Sequence, residues 1–213
     1  MFIRTADGVY RSSALALPWL DHGFASRGAD AWPGDYVRVK QIHSNVVAVA
    51  AKGGAPPCEG DALVTAEPGV FAGIRTADCV PILLADPVRR AVAAVHAGWR
   101  GTAANIAGEA VRKLRDEFGT ESKDVIAAIG PCIAECCFEV GPEVAAQFHE
   151  HFPGATNRVD LVEVNRRQLV EAGVSSGNID ISGLCTVCDP AEFHSWRRDR
   201  EASGRMVSAI GIR

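Results

Sequence analysis

Apolar residues along this chain fall into two kinds of run, and the difference between them predicts its elements. Short, nearly continuous apolar blocks read as buried strands at residues 46–51, at 62–65 after the polar turn Glu59-Gly60-Asp61, and at 69–74 and 80–85 on either side of the polar insertion Arg75-Thr76-Ala77-Asp78. The block AVAAVH, residues 91–96, reads as another strand that breaks at Gly98, and VIAAIG, residues 125–130, as a further one. Other segments repeat with a helical period. Ile106, Ala110 or Val111, Leu114 and Phe118 recur at spacings of three or four, which predicts a helix capped at Thr102 and terminated by Gly119. Pro142 can open a short helix that turns Val144, Ala145 and Phe148 inward. Asp160 and Glu163 form a capping-box-like start to a helix carrying Leu161, Val164, Leu169 and Ala172, with Gly173 at its end. Strands at 179–181 and 206–212 complete the layout. Strands alternate with helices and no unit repeats, so the expected fold is α+β: one compact domain over residues 1–213, with layered mixed sheets flanked by helices.

Composition narrows the function classes. A chain of 213 residues that is 47% apolar can bury a core as one domain. Its formal charge of −4 gives no support to a broad basic face for nucleic acid, while leaving room for a local positive pocket that takes a small anion. No apolar run approaches the roughly 20 residues of a membrane span, and the first twenty residues are interrupted by polar side chains and Pro18 where a signal peptide needs a clean apolar stretch. The expectation is a soluble cytoplasmic protein, a monomer or small homo-oligomer, acting on small molecules. Seven cysteines, an odd number that includes the adjacent pair Cys136-Cys137, fit reduced thiols better than a disulfide framework.

Chemistry concentrates at the strand ends. Cys79 stands at the entrance of the run 80–85, and His96 at the exit of the run 91–96, followed by Gly-Trp-Arg-Gly. With His43 in VKQIHSN they supply two imidazole nitrogens and a thiolate, a donor set suited to zinc with a fourth position left for water or substrate. The structural alternative is a buried Cys79 beside two hydrogen-bonded histidines, and spacing alone does not bring His43 to the other two.

The blocks KQIHSN, GDALVT, RTADCVPILLADP, AVHAGWRGTAANI, AIGPCI, DLVEVNRRQL and CTVCDPAEFHSWRRD resemble, in order, those of the bacterial polyphenol oxidase-like, or laccase-domain, family. Its members are understood as purine nucleoside phosphorylases with accessory adenosine deaminase activity. The similarity runs from His22-Gly23-Phe24 to the last predicted strand. It implies layered sheets with outer helices and a catalytic zinc site at His43, Cys79 and His96. It also implies attack of inorganic phosphate on C1′ of adenosine, inosine, guanosine or methylthioadenosine, giving free base and the sugar 1-phosphate. Deamination of adenosine at C6 would use activated water instead.

Around that centre, Arg75 and Arg100 flank the ligands, and a guanidinium fork suits phosphate. Asp78 can orient a ligand or assist proton transfer, or simply cap a turn. Trp99 can stack on a purine or pack in the core. Through the last block, the resemblance places Phe193, His194 and Arg197 near the pocket, and Arg27 is the nearest match to an early family arginine. One departure is the short segment 28–39, where the family usually carries a longer stretch with a glycine-rich loop and a helix. Its shortening implies either a wider site or one completed by a neighbouring subunit. Cys185 and Cys188 have metal-binding spacing, and Cys132, Cys136 and Cys137 could supply missing ligands. No compact zinc-ribbon pattern repeats the pair, so reduced structural residues are expected. Two other enzyme classes remain: a cysteine hydrolase using Cys79 and His96, and a copper-dependent polyphenol oxidoreductase, for which Met206 is the only internal methionine available as a soft ligand.

Overall fold

The computed structural model describes residues 1–29, 32–53, 59–148 and 157–213. Among the described residues, eleven strands form two sheets. The first is antiparallel and has five strands: β1 (Phe2–Arg4), β2 (Val9–Ser12), β3 (Leu20–Ala25), β6 (Phe71–Thr76) and β11 (Met206–Ile212), in the order β1-β2-β3-β11-β6. The second has six strands: β4 (Val47–Val49), β5 (Ala62–Thr65), β7 (Val80–Asp86), β8 (Ala91–Ala97), β9 (Ile126–Ile129) and β10 (Ile179–Ile181), in the order β10-β9-β7-β8-β5-β4. Its outer pairs, β10–β9 and β4–β5, are parallel, and the others antiparallel.

The inner strands β5, β7, β8 and β9 of the second sheet are covered on both faces, which is why they read as nearly unbroken apolar runs. Alternate residues of β7 and β8 divide between the faces. Leu83, Ala85, Val92 and Ala94 join Phe24, Ile74 and Ile210 in the core between the sheets. Ile82, Leu84, Ala93 and Val95 join Ile106, Val111 and Leu114 of α2 (Ile106–Phe118) and Val164 and Leu169 of α4 (Leu161–Glu171) in the other core. The expected layering of sheets and helices is present. On the far side of the first sheet lies a small cluster of Val9, Ala25 and Ala29, packed by Trp32.

Several local expectations shift by a few residues, for identifiable reasons. The helix expected from Thr102 begins earlier, as α1 (Trp99–Ala103), and breaks before α2. Asn105 makes that break: it takes a left-handed conformation (φ 60°), and its side chain accepts from the Gly108 N–H. Asparagine tolerates this geometry better than most residues. Thr102 is instead buried, its hydroxyl oxygen accepting from Asn165 Nδ2 at 3.0 Å. Gly119 ends α2 with φ 69°, as expected. Pro142 opens α3 (Pro142–Ala145), and Asp160 caps α4 by accepting from the Glu163 N–H. The Glu163 carboxylate turns to Arg166 and Arg167 rather than back to the cap. β6 runs through Arg75 and Thr76, so the polar insertion is a turn of only Ala77 and Asp78 before Cys79.

Register positions the chemistry. In the β7–β8 hairpin Val80 lies opposite Ala97 and Pro81 opposite His96, so the entrance of one strand and the exit of the other share an end of the sheet. On the other side of β8, Ala62 lies opposite Val95, and the His96 N–H bonds the Asp61 carbonyl at 2.7 Å.

One buried histidine makes the fold itself pH-sensitive. His22 is 4% exposed, and its Nε2 accepts from the Ser12 N–H at 3.0 Å, a bond that requires the neutral ring. Burial, with Arg11 nearby, lowers its pKa to about 4. Between about pH 6.5 and 4 the unfolded chain binds a proton that the folded chain refuses. Stability is therefore complete above pH 6.5 and declines as pH falls through that window, by about 3 kcal/mol at most. Urea midpoints of the wild type should show this slope and those of His22→Gln should not; equal slopes in the two proteins would refute it.

Candidate active site

Two strained turns and one buried carboxylate assemble the site. Asp78 adopts φ 83° ahead of Cys79 and is tied from three directions. Its Oδ1 accepts from Thr186 Oγ1 at 2.7 Å, its Oδ2 from the Arg197 N–H at 2.6 Å, and its carbonyl from the Ile133 N–H at 2.9 Å. Through its carboxylate and its carbonyl, Asp78 therefore ties the segments of Thr186, Arg197 and Ile133 together behind Cys79. His43 adopts φ 59°, in a loop bracketed by Gln41, whose side-chain amide bonds both the N–H and the carbonyl of Arg75 at 2.8 Å.

Asp61, fully buried at the mouth of β5, holds both histidines. Its Oδ1 accepts from the His43 N–H at 2.9 Å and meets His96 Nδ1 at 2.8 Å. Its Oδ2 accepts from the N–H groups of Ile42 at 3.3 Å and Ser44 at 2.5 Å and from Ser44 Oγ at 2.7 Å. Burial alone would raise the Asp61 pKa, but hydrogen bonds from His96 and Ser44 outweigh it and bring it to about 2. Holding His96 Nδ1–H on Asp61 leaves Nε2 as the free donor atom.

His43, Cys79 and His96 converge so that their donor atoms lie within 4.8 Å of one another. The two imidazole rings meet edge to face with centroids 4.9 Å apart. Burial opposes ionisation of Cys79, yet hydrogen bonds from His43 and His96 bring its pKa down to about 6. Burial likewise opposes charging of His96, yet Asp61 and Cys79 raise it to about 9. The site thus stabilises a Cys79 thiolate paired with a protonated His96, a pairing that a metal ion would replace. Gly98 is required beside it, because a Cβ there would come within 2.9 Å of His43 Nδ1 and 3.0 Å of Cys79 Sγ. Two nitrogens, a thiolate and a carboxylate fixing one ring suit a soft or borderline metal with a position open to the cleft.

The three donors lie on a cleft of about 830 Å³. Arg75, Arg100, Arg197, Arg200 and Arg205 line it, against two acids, Asp78 and Glu139. A chain of net charge −4 has thus gathered a local positive pocket. Three of these guanidinium groups rest on aromatic rings: Arg100 on Trp99 at 4.1 Å, Arg205 on Trp196 at 5.4 Å and Arg197 on Phe138 at 5.5 Å. Of the residues expected from sequence, Arg75, Asp78, Trp99, Arg100 and Arg197 line the cleft with the three donors. Arg27 does not: its N–H bonds the Glu192 carbonyl, and its guanidinium reaches Asp199 at 3.5 Å. None of the described residues of the short segment 28–39 lines it either; Val37 pairs with Ala72 there. Sequence reasoning missed Asp61, Phe138, Trp196, Arg200 and Arg205. Asp61 lay in view in the GDALVT block, but only the β5–β8 register sets it against His96.

The six described cysteines are all free, as expected, and Cys58 lies outside the described residues. No helix among the described residues is long and apolar enough to cross a membrane.

Comparison with known proteins places this arrangement. A purine nucleoside phosphorylase of Bacteroides thetaiotaomicron is 44% identical over 163 residues, 71% of this chain and 60% of that protein. An adenosine deaminase, RL5, from an unknown prokaryotic organism is 42% identical over 161 residues, 70% of this chain and 61% of the other. The chain thus spans about 60% of the length of these two relatives. The crystal structure of YlmD from Geobacillus stearothermophilus superposes with a TM-score of 0.89 at 30% identity, covering 100% of this chain and 98% of that one. The family model described as multi-copper polyphenol oxidoreductase laccase matches residues 25–213, a span that takes in all three donors and every arginine of the cleft, and the chain belongs to that family.

Proposed function

We propose that residues 1–213 act as a single-domain, zinc-dependent purine nucleoside phosphorylase. It would convert adenosine, inosine, guanosine or methylthioadenosine to free base and ribose 1-phosphate or the methylthioribose equivalent, with deamination of adenosine as an accessory reaction. The observation that carries this reading is a two-histidine, one-thiolate donor set at an arginine-lined cleft. Zinc held by His43, Cys79 and His96 would supply Lewis acidity toward an oxygen of phosphate or water. Two histidines and a cysteine are also the donors of a blue-copper centre; zinc is favoured because the usual soft axial methionine has no counterpart at the cleft, Met206 pairing with Thr76 in the first sheet and not lining it.

The chain's own residues account for binding. Arg100 and Arg75 flank the donors and suit the phosphate that attacks C1′, while Arg197, Arg200 and Arg205 extend the positive wall. Trp99, Phe138 and Trp196 offer ring faces to a purine. The cleft volume is ample for a nucleoside beside phosphate. Asp78 acts by positioning Cys79, because both its oxygens are engaged by Thr186 and Arg197. A cytoplasmic location and a monomeric or small homo-oligomeric state go with this reading, and the free thiols suit a reducing compartment.

A second reading draws on one observation: Asp61, His96 and Cys79 follow one another as orienting acid, base and nucleophile do in thiol hydrolases. His43 is surplus to such a triad but required by a metal site. Metal-loaded protein should release hypoxanthine and ribose 1-phosphate from inosine in equal amounts, only when phosphate is supplied, and lose this on chelation. Turnover that ignores phosphate, acyl hydrolysis that survives chelation, or copper-dependent phenol oxidation without purine release would defeat the proposal.

A further inference from the structure

We propose that Cys136, Cys137, Cys185 and Cys188 form a second metal site, which takes one zinc ion in a closed tetrathiolate and fixes the wall of the cleft. The four sulfurs lie within 4.8 Å of one another. Cys136 Sγ stands 3.6 Å from Cys137, 3.9 Å from Cys185 and 3.8 Å from Cys188, and Cys137 stands 3.5 Å from Cys188. A tetrahedron with zinc–sulfur bonds of about 2.3 Å has sulfur–sulfur edges of about 3.8 Å. A disulfide would need about 2.05 Å, and all four cysteines are free. Sulfurs this close surround a single ion, whereas a multi-iron cluster would hold them further apart.

The surroundings supply what such a site needs. A divalent ion with four thiolates carries a net charge of −2, and the protein meets it with oriented donors. Three guanidinium groups cap carbonyls of the two cysteine loops: Arg158 on Cys136 at 2.6 Å, Arg197 on Cys137 at 3.3 Å, and Arg198 on Thr186 at 2.9 Å and Val187 at 3.2 Å. Their charge offsets that of the thiolates. No single strand or helix holds these loops. Residues 132–140 and 183–195 contain turns and isolated bridges, joined through Cys132 and Cys185; Ile133 and Phe138 anchor the first loop in the helix-side core, and a metal crosslink would tie it to the second.

The position gives the crosslink its consequence. Phe138 follows Cys137 directly and lines the cleft, as do Trp196 and Arg197 from the chain beyond Cys188. Thr186, between the two cysteines of the CTVC turn, bonds Asp78 behind Cys79. Zinc here would not touch substrate; it would position the groups that do. The inference stands apart from the nucleoside reading, because zinc counting needs no substrate.

The test is elemental analysis of full-length protein purified under reducing conditions, together with cobalt substitution. Wild-type protein should carry two zinc ions per chain. His96→Ala, which alters only the first site, should keep one, and its cobalt form should show the intense sulfur-to-cobalt charge transfer of a four-thiolate site. Cys185→Ser/Cys188→Ser should lose one zinc and that signature, with a KM for nucleoside raised several-fold and the remaining zinc retained. Because the His96→Ala arm leaves the cysteine loops intact, the proposal is tested even if the double variant does not fold. A His96→Ala protein without zinc, iron in place of zinc, or Cys136 or Cys137 disulfide-bonded to Cys185 or Cys188 in freshly reduced protein would overturn it.

Discussion

Replacing His96 by alanine is expected to lower kcat/KM for inosine by more than about 100-fold while the protein stays folded. Changes that merely misorient a ligand cost about 10- to 100-fold, and this one deletes the ligand. His96 is 3% exposed and makes two attachments, Nδ1 to Asp61 and a donor nitrogen toward Cys79 and His43. Alanine removes both, but Asp61 keeps its four bonds from residues 42–44, and Val95 and Ala97 still pack under α2. The stability cost should therefore stay near 1–3 kcal/mol, that of one lost buried partner. Metal content, circular dichroism and steady-state rates on one preparation check this. Undiminished turnover in folded protein that has lost the metal would remove the zinc centre from the mechanism.

What sequence could and could not reveal follows from the range of each contact. Cys79 and His96 were legible as partners because they sit at the two ends of one hairpin, where a strand's start and its neighbour's finish must meet. His43 is different: its place depends on three successive N–H groups wrapping the Asp61 carboxylate, a contact between loops that no spacing rule encodes, and only family resemblance joined it to the others. The runs of β5, β7, β8 and β9 were read with nearly correct bounds because burial on both faces makes them continuously apolar. β1 and β2 went unread because they are short and half-exposed, and their alternation is interrupted by Arg4 and Arg11. Asn105 was passed over in favour of Thr102, because a left-handed residue inside a helical period looks like an ordinary polar position. The CTVC pair and its possible partners Cys132, Cys136 and Cys137 were in view, but the adjacent pair lies 49 residues before Cys185 and no compact finger pattern joins the two, so only the fold selects Cys136 and Cys137.

The two clusters of donor side chains are mechanically linked through one side chain. Thr186 belongs to the CTVC turn and donates to Asp78, Asp78 precedes Cys79, and the other Asp78 oxygen holds the N–H of Arg197. Movement of the cysteine loops would thus reach both a ligand and a cleft arginine through hydrogen bonds of 2.6–2.7 Å. A buried carboxylate with such partners is costly to leave half satisfied, which favours one arrangement of the cleft over a range of them.

Asp61→Asn should be nearly as damaging as loss of a ligand, although Asp61 would touch neither metal nor substrate. Five donors converge on its two oxygens: the N–H groups of Ile42, His43 and Ser44, the Ser44 hydroxyl, and His96 Nδ1. Asparagine has the same shape but one acceptor oxygen, so its NH₂ must face at least two of these donors in a fully buried site. Each mismatched donor costs about 1–3 kcal/mol. The loop can relieve the clash only by moving His43 or by turning the His96 ring, and either changes the metal site. The expected result is a 10- to 100-fold loss of zinc affinity at His43, Cys79 and His96, with a matching fall in kcat/KM at limiting zinc that excess zinc partly restores. Ser44→Ala removes one donor to Asp61 and the acceptor of the Val46 N–H, but leaves the Asp61 carboxylate intact, and should change zinc affinity several-fold less. Zinc held by the four cysteines should not respond to either change. If Asp61→Asn lowers the urea midpoint but leaves zinc affinity at the first site intact, Asp61 supports the fold alone, and its role in positioning both histidines is refuted.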